Sequence, residues 1–137
     1  MTSTSSVCVY RVLDGDVQEF VLMEVSRRAV NEMFDTTEKL LAEAAAKGKN
    51  LRQPVLIDSQ IGLQPINHII MRMRILVNIF PARRNSRVAL IVCPTPLSKT
   101  IAMLMRPFAP VRLYTPDERD QALAWLRAPV EQSAAAY

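Results

Sequence analysis

The stretch VALIVCPTPLSKT, residues 88–100, joins an uninterrupted apolar run to a helix-like one through a turn that carries two prolines. An apolar strand with no polar residue at alternate positions suits a parallel sheet covered on both faces. Thr95 before Pro96 then reads as a helix cap followed by proline at the first helical position. The closing Ser98-Lys99-Thr100 has the outline of a phosphate-gripping loop. Such a loop needs glycines, so that successive amides can wrap the anion closely. None is present here, and Pro94 and Pro96 each remove an amide donor. The stretch is therefore a strand-to-helix connection, able at most to host an anion weakly through first-turn amides and Lys99.

Working outward, VCVYRVL (7–13) and EFVLMEV (19–25) are β-rich segments around the hairpin signal Asp14-Gly15-Asp16. Over residues 29–47 the period changes. Val30, Met33, Phe34, Leu41 and Ala44 recur at helical spacing, and Gly48 stands where a left-handed cap would end the helix. PVLID (54–58) is a short strand. Ile66 to Phe80 is a second helix, broken by Pro81 and Arg83-Arg84-Asn85. A third helix is expected over Pro96–Phe108, then a strand VRLYT (111–115). Thr115-Pro116-Asp117-Glu118 caps a last helix that runs to about Leu126. The order β-β-α-β-α-β-α-β-α predicts an α/β fold, a four- to five-stranded mixed sheet with about four helices. One domain is expected, its core at about 7–127, with 1–6 and 128–137 as flexible tails.

The chain has 137 residues, half of them hydrophobic, which suits a globular domain with its own core. No apolar run is long enough to span a bilayer. MTSTSS lacks the basic-then-apolar pattern of a secretion signal, so a cytoplasmic protein is expected. Cys8 and Cys93 lie in apolar runs and are expected to be reduced, buried thiols. The net charge of +4 is unevenly spread. Residues 1–58 hold nine acids and seven bases, and residues 117–137 hold four acids and two bases. Residues 59–116 hold eight bases and no acid. Two outcomes follow for that segment: one anion-attracting surface, or bases scattered and paired with the flanking acids.

VLIDS (55–59), RVALIV (87–92) and VRLYTPDERDQALAWL (111–126), in this order of elements, resemble the STAS domain, the fold of bacterial anti-sigma-factor antagonists. The likeness is to its SpoIIAA-like branch, which shares its architecture with CRAL-TRIO-type lipid-binding domains, and it covers roughly residues 19–127. The resemblance implies a regulatory interaction module. It also implies a phosphorylatable serine at the start of the helix after the VLID strand. Here that place reads Gln64-Pro65-Ile66-Asn67-His68, without a hydroxyl, and Ser59 comes too early to replace it. A phosphorylation switch of the usual kind is not expected.

Other constellations give little chemistry. One histidine and two distant cysteines make no metal-ligand set. No cofactor motif is present, and Asp58 is the single acid near the carboxyl edge of the expected strands, where α/β sheets bind ligands. Cys93 with His68 is the one conceivable nucleophile–base pair, against the plainer reading of packing and cap. Nucleic acid is not expected, for want of interleaved aromatics. On the helix 66–80, Ile66, Ile69, Ile70, Met73, Leu76, Val77 and Phe80 form the core stripe. Met71, Ile75 and Ile79 form a second stripe opposite. It could lie under a neighbouring helix, in a homodimer interface, or along an apolar ligand site. The third helix is expected to turn Leu97, Ile101, Leu104 and Phe108 inward and Lys99, Met103 and Arg106 outward. The reading is a non-enzymatic module, binding a protein partner or small ligand through Ser59, Asn67, His68, Thr95, Ser98 and Lys99, and self-associating through Met71, Ile75 and Ile79. The alternative is a carrier or sensor of a lipid or other apolar anion.

Overall fold

A computed structural model describes residues 7–59, 66–93 and 95–129. The strands are β1 (Cys8–Leu13), β2 (Val17–Leu22), β3 (Val55–Asp58), β4 (Val88–Ile91) and β5 (Val111–Tyr114). The helices are α1 (Arg27–Ala46), α2 (Ile66–Ile79), α3 (Pro96–Met105) and α4 (Arg119–Arg127), with 3-10 turns at Pro81–Asn85 and Pro116–Glu118. The nine-element α/β order expected from the sequence is the one observed, with five strands in one mixed sheet.

The strands lie in chain order, β1 antiparallel to β2 and every later pair parallel. The β1–β2 hairpin turns through Asp14-Gly15-Asp16, where Gly15 (φ 80°) and Asp16 (φ 59°) take the left-handed conformation that a tight three-residue turn requires. Three successive right-handed crossovers that advance in one direction place their helices on one face. Accordingly α1, α2 and α3 share one core with Phe20, Leu22, Val55, Ile57, Val88 and Leu90. Among the described residues the opposite face has α4 as its one helix, packed on Val17, Leu56, Ala89 and Ile91 through Ala122 and Leu126. Continuous apolar β4 is thus explained: its four residues are buried alternately on the two faces.

Caps fix the helix starts. Ser26 Oγ accepts from the Ala29 amide at 3.1 Å. Thr95 and Ser98 form a reciprocal capping box, each side chain bonding the other residue's amide at 3.0 Å. At Thr115 the amide donates to Glu118 Oε1 at 2.8 Å, and the expected last helix opens as a 3-10 turn before α4 proper.

Several of the bases in 59–116 are structural. Arg72 ties α2 to α1, donating to Asn31 Oδ1 (2.9 Å), Asp35 (2.8 Å) and Glu38 (3.1 Å), with its guanidinium 5.5 Å from the Phe34 ring. Arg87 is buried and donates to the carbonyls of Trp125, Ala128 and Pro129, pinning the end of α4. Arg83 is buried as well. Trp125 packs beside Tyr114 under Arg112, whose guanidinium lies 4.7 Å from its ring. The acid-free segment is therefore partly consumed inside the fold, and its exposed helix-side remainder is Arg74, Arg84, Lys99 and Arg106.

Three expectations are corrected. On α3 the inward residues are Ser98, Ile101, Ala102 and Met105, while Leu97 (42%) and Leu104 (45%) are exposed. The capping box starts the helix with Ser98 facing the sheet, which rotates those leucines off the core. Cys93 is exposed, because the β4 ladder ends at Ile91 and the chain is already leaving the sheet. Cys8 is half-buried, its thiol pushed up to about 12 by burial and then by the Glu32 carboxylate, which also accepts from the amides of Val7 and Cys8. Residues 1–6 and 130–137 of the expected tails, Gln64-Pro65 and Pro94 lie outside the described residues.

Leu90 is fully buried at the centre of the larger core. Leu90→Ala is expected to lower unfolding free energy by about 3 kcal/mol, through lost transfer energy and a cavity. Urea denaturation with an unchanged m-value would record it.

Candidate functional site

α2 packs between α1 and α3 and contributes Ile69, Met73, Leu76 and Val77 to the core, with Ile66, Ile70 and Phe80 packed against it. The second stripe keeps its outward place: Met71 is 46% exposed, Ile75 41% and Ile79 59%. Within the described residues, then, no neighbouring helix covers it. On α3, Leu97, Met103 and Leu104 are exposed too. The outer surface of these two helices thus presents six large apolar side chains together with Arg74, Lys99 and Arg106, and neither helix contains an acid. Bulky apolar groups in such number on adjacent helices are a feature of binding surfaces.

The residues expected at the crevice are divided among different tasks. Ser59 is fully buried, and its amide donates to Ile91 O at 2.9 Å. Thr95 and Ser98 use their hydroxyls in the cap of α3, where Ser98 Oγ also donates to Thr95 O at 2.8 Å. Lys99 and Asn67 are exposed at the starts of α3 and α2. His68 is turned toward α1, with Nε2 2.6 Å from Asn31 Oδ1. That oxygen also accepts from Arg72, so Nε2 carries the proton in this arrangement. Burial, then the charges of Arg27 and Arg72, hold the His68 pKa below its ordinary value. The imidazole is thereby committed to a helix–helix bond. Among the described residues no group of three or more metal-ligating side chains is assembled.

Two features escaped the sequence reading. The first is a charged cluster on the α4 side of the sheet. Glu19, at the middle of β2, is fully buried, and its carboxylate receives Arg11 from β1 and Arg119 from α4. Arg119 also lies 3.8 Å from Asp58 at the end of β3. Burial alone would raise the Glu19 pKa, but hydrogen bonds from the two arginines prevail and hold it below the ordinary carboxylate range. Glu19 in a strand gives no sign of this, because one partner is eight residues away and the other a hundred.

The second is a small cleft between the helix layer and the sheet, of about 50 Å³, lined by core residues that include Phe20, Phe34, Met73, Met105 and Phe108. Its polar lining includes Arg83 and Ser86, from the 3-10 turn after α2 and the residue that caps it.

Comparison with protein-family models, with curated proteins and with solved structures returns no match for this chain.

The ion cluster makes stability depend on pH. Because the folded pKa of Glu19 is below its ordinary value of 4.5, its contribution is complete above that value and is lost as pH falls through the folded pKa. Glu19→Gln is therefore expected to be less stable than wild type at pH 7 and to show a shallower loss below about pH 4.5. Urea midpoints from pH 3 to 7 would measure both; parallel acid limbs would refute the assignment. Arg119→Met should cost about 2 kcal/mol, below the usual value for breaking a buried pair because Arg119 is one-third exposed.

Proposed function

We propose that this protein is a non-enzymatic interaction module of STAS-like type that docks a protein partner, a second copy of itself in the simplest case, on the outer surface of α2. The observation that carries this reading is the row Met71, Ile75, Ile79, three large apolar side chains spaced by four along a helix and left open to solvent. Helix rows of this spacing are how one amphipathic surface grips another. Methionine adapts to irregular partners, and the flanking Arg74 suits a rim, as arginine is enriched at interfaces. Exposed Leu97, Met103 and Leu104 on α3 widen the surface.

Support for a carrier of lipids is weaker. The cleft of about 50 Å³, and a larger one of about 190 Å³ between α1 and the β1–β2 hairpin, both fall short of the roughly 300–1,000 Å³ typical of sites that enclose drug-sized ligands. Support for an enzyme is weaker again, since His68 is committed through Nε2 to Asn31 on α1. No helix among the described residues is long and apolar enough to cross a membrane.

Native mass spectrometry, with light scattering in solution, tests the reading. The expected result is a dimer at twice the bare chain mass. Met71→Glu and Ile75→Glu should each shift it to monomer, with thermal midpoints close to wild type because both positions are solvent-exposed. A wild-type chain that stays monomeric at high concentration, with no change on either substitution, would remove self-association. Unfolding of both variants would place the row in the core instead.

A further inference from the structure

The hairpin strand β1 forms one edge of the sheet, and among the described residues no strand lies beyond it. The ladder shows which of its backbone groups face outward. The Gln18 amide donates to Pro54 O at 2.9 Å, on the β3 side, so its register partner Val12 turns its own N–H and C=O away from β2. By the same alternation Cys8 and Tyr10 face outward, while Val9, Arg11 and Leu13 face β2. Glu32 Oε1 occupies the Cys8 amide at 3.1 Å. Among the described residues Tyr10 and Val12 keep both backbone groups open, a template for one more strand. The opposite edge is better covered, since β5 has four residues and Arg106 Nε donates to Val111 O at 3.4 Å. β1 has six residues, none of them Pro, Gly or Lys to blunt the edge, and its Val9 and Val12 are exposed.

Beside this edge opens the cleft of about 190 Å³, walled by Tyr10 and Val12 of β1 and by Leu40, Leu41 and Ala44 of α1. Its charged lining is Lys47 and Lys49, just past α1, against Glu43. Arg83, bonded to Gln18 and Gln53 of the same lining, adds a further cation behind it. Side chains along a strand alternate between faces, so every second one of an added strand falls on the α1 side. At roughly 10–15 Å³ for a water-sized group, the cleft has room for a glutamate side chain.

We propose that β1 and this cleft form a docking groove for an extended segment of a partner protein, which adds to the sheet as a further strand and points an acidic side chain toward Lys47 and Lys49. Open main-chain groups call for an extended polypeptide, because a helix has already paired its own. The surrounding cations select the acid. A second copy of β1 fits less well, since CVYRVL contains no acidic residue and brings Arg11 instead. Backbone pairing supplies affinity in such a groove, and the cleft supplies selectivity. The groove lies at the sheet edge and does not depend on the outer row of α2.

The test is a displayed library of random linear peptides, selected on the full chain. Enriched peptides are expected to share an acidic residue within a β-prone run. A synthetic copy of the most enriched peptide should slow hydrogen exchange at the Tyr10 and Val12 amides, which exchange freely in the chain alone. Val12→Pro removes one outward amide and should weaken binding about ten-fold, with a thermal midpoint near wild type, because an edge strand accepts proline where its N–H faces solvent. Exchanging the peptide's acid for its amide should weaken binding about five-fold, as should Lys47→Glu combined with Lys49→Glu. Four results would overturn the proposal: no enrichment beyond that on an unrelated bait, binding unchanged in Val12→Pro, acid and amide peptides binding alike, or Tyr10 and Val12 amides already protected in the free chain. The last would put a second copy or the chain's own residues on the edge. Should Val12→Pro fail to fold, the exchange pattern and the amide peptide still decide.

Discussion

The strand order governs the rest of this molecule. Each strand after the hairpin is parallel to the one before it and lies next to it, so each crossover steps the same way across the sheet. Right-handed connections that never reverse direction put every connecting helix on one side. Only the element after the last strand is free to cross over, and α4 does so. Among the described residues one face is therefore covered by three helices and the other by one. A parallel sheet needs both faces shielded, and among the described residues the nine of α4 provide the helical cover on this face.

The Glu19 cluster answers that shortage. Charge placed inside a sheet is costly, and an apolar pair of the same volume is often as stable. Its use here is geometric. Arg119 leaves the first residue of α4, meets Glu19 on β2 and approaches Asp58 on β3, so one guanidinium aligns the helix across strands it covers only thinly. Arg87 does the same at the other end by holding the carbonyls of Trp125 and Ala128. A short helix with little apolar area is thus tied at both termini by directional bonds. On the crowded face the reverse applies: α2 is walled by α1 and α3 and grips the sheet from below, so its outer row has no structural demand upon it.

How much of this was legible in the sequence depends on the range of each interaction. Local patterns were enough for the nine elements, since period, caps and prolines act over three or four residues. The core stripe of α2 and the opposite row Met71, Ile75, Ile79 follow from the same arithmetic, and both are where the spacing puts them. On α3 that arithmetic misled. Leu97 and Leu104 outrank Ser98 and Ala102 in hydrophobicity, yet the cap box sets the rotation and small residues suit close approach to the sheet. The crevice set suffered similarly: Thr95 and Ser98 are polar because a helix must begin there, and Ser59 is sealed. Glu19 and Arg83 were illegible, because their significance lies in partners brought together across 100 and 65 residues.

The run of eight bases without an acid left two outcomes open, one basic surface or bases scattered and paired, and three of the eight belong to the interior. Arg72, Arg83 and Arg87 have each been drawn into the fold, and their roles separate cleanly by partner. Arg72 meets two carboxylates, and Arg87 meets carbonyls at a helix end whose partial negative charge favours a cation. Arg83 has neither advantage. Its carbonyl partners belong to the segment before β3, and a shorter apolar side chain would fill the same space without desolvating a cation. Stability alone therefore gives little reason for an arginine at this position. Its use is geometric instead: the guanidinium draws the segment before β3 and Gln18 of β2 onto the 3-10 turn after α2 by directional bonds to neutral oxygens.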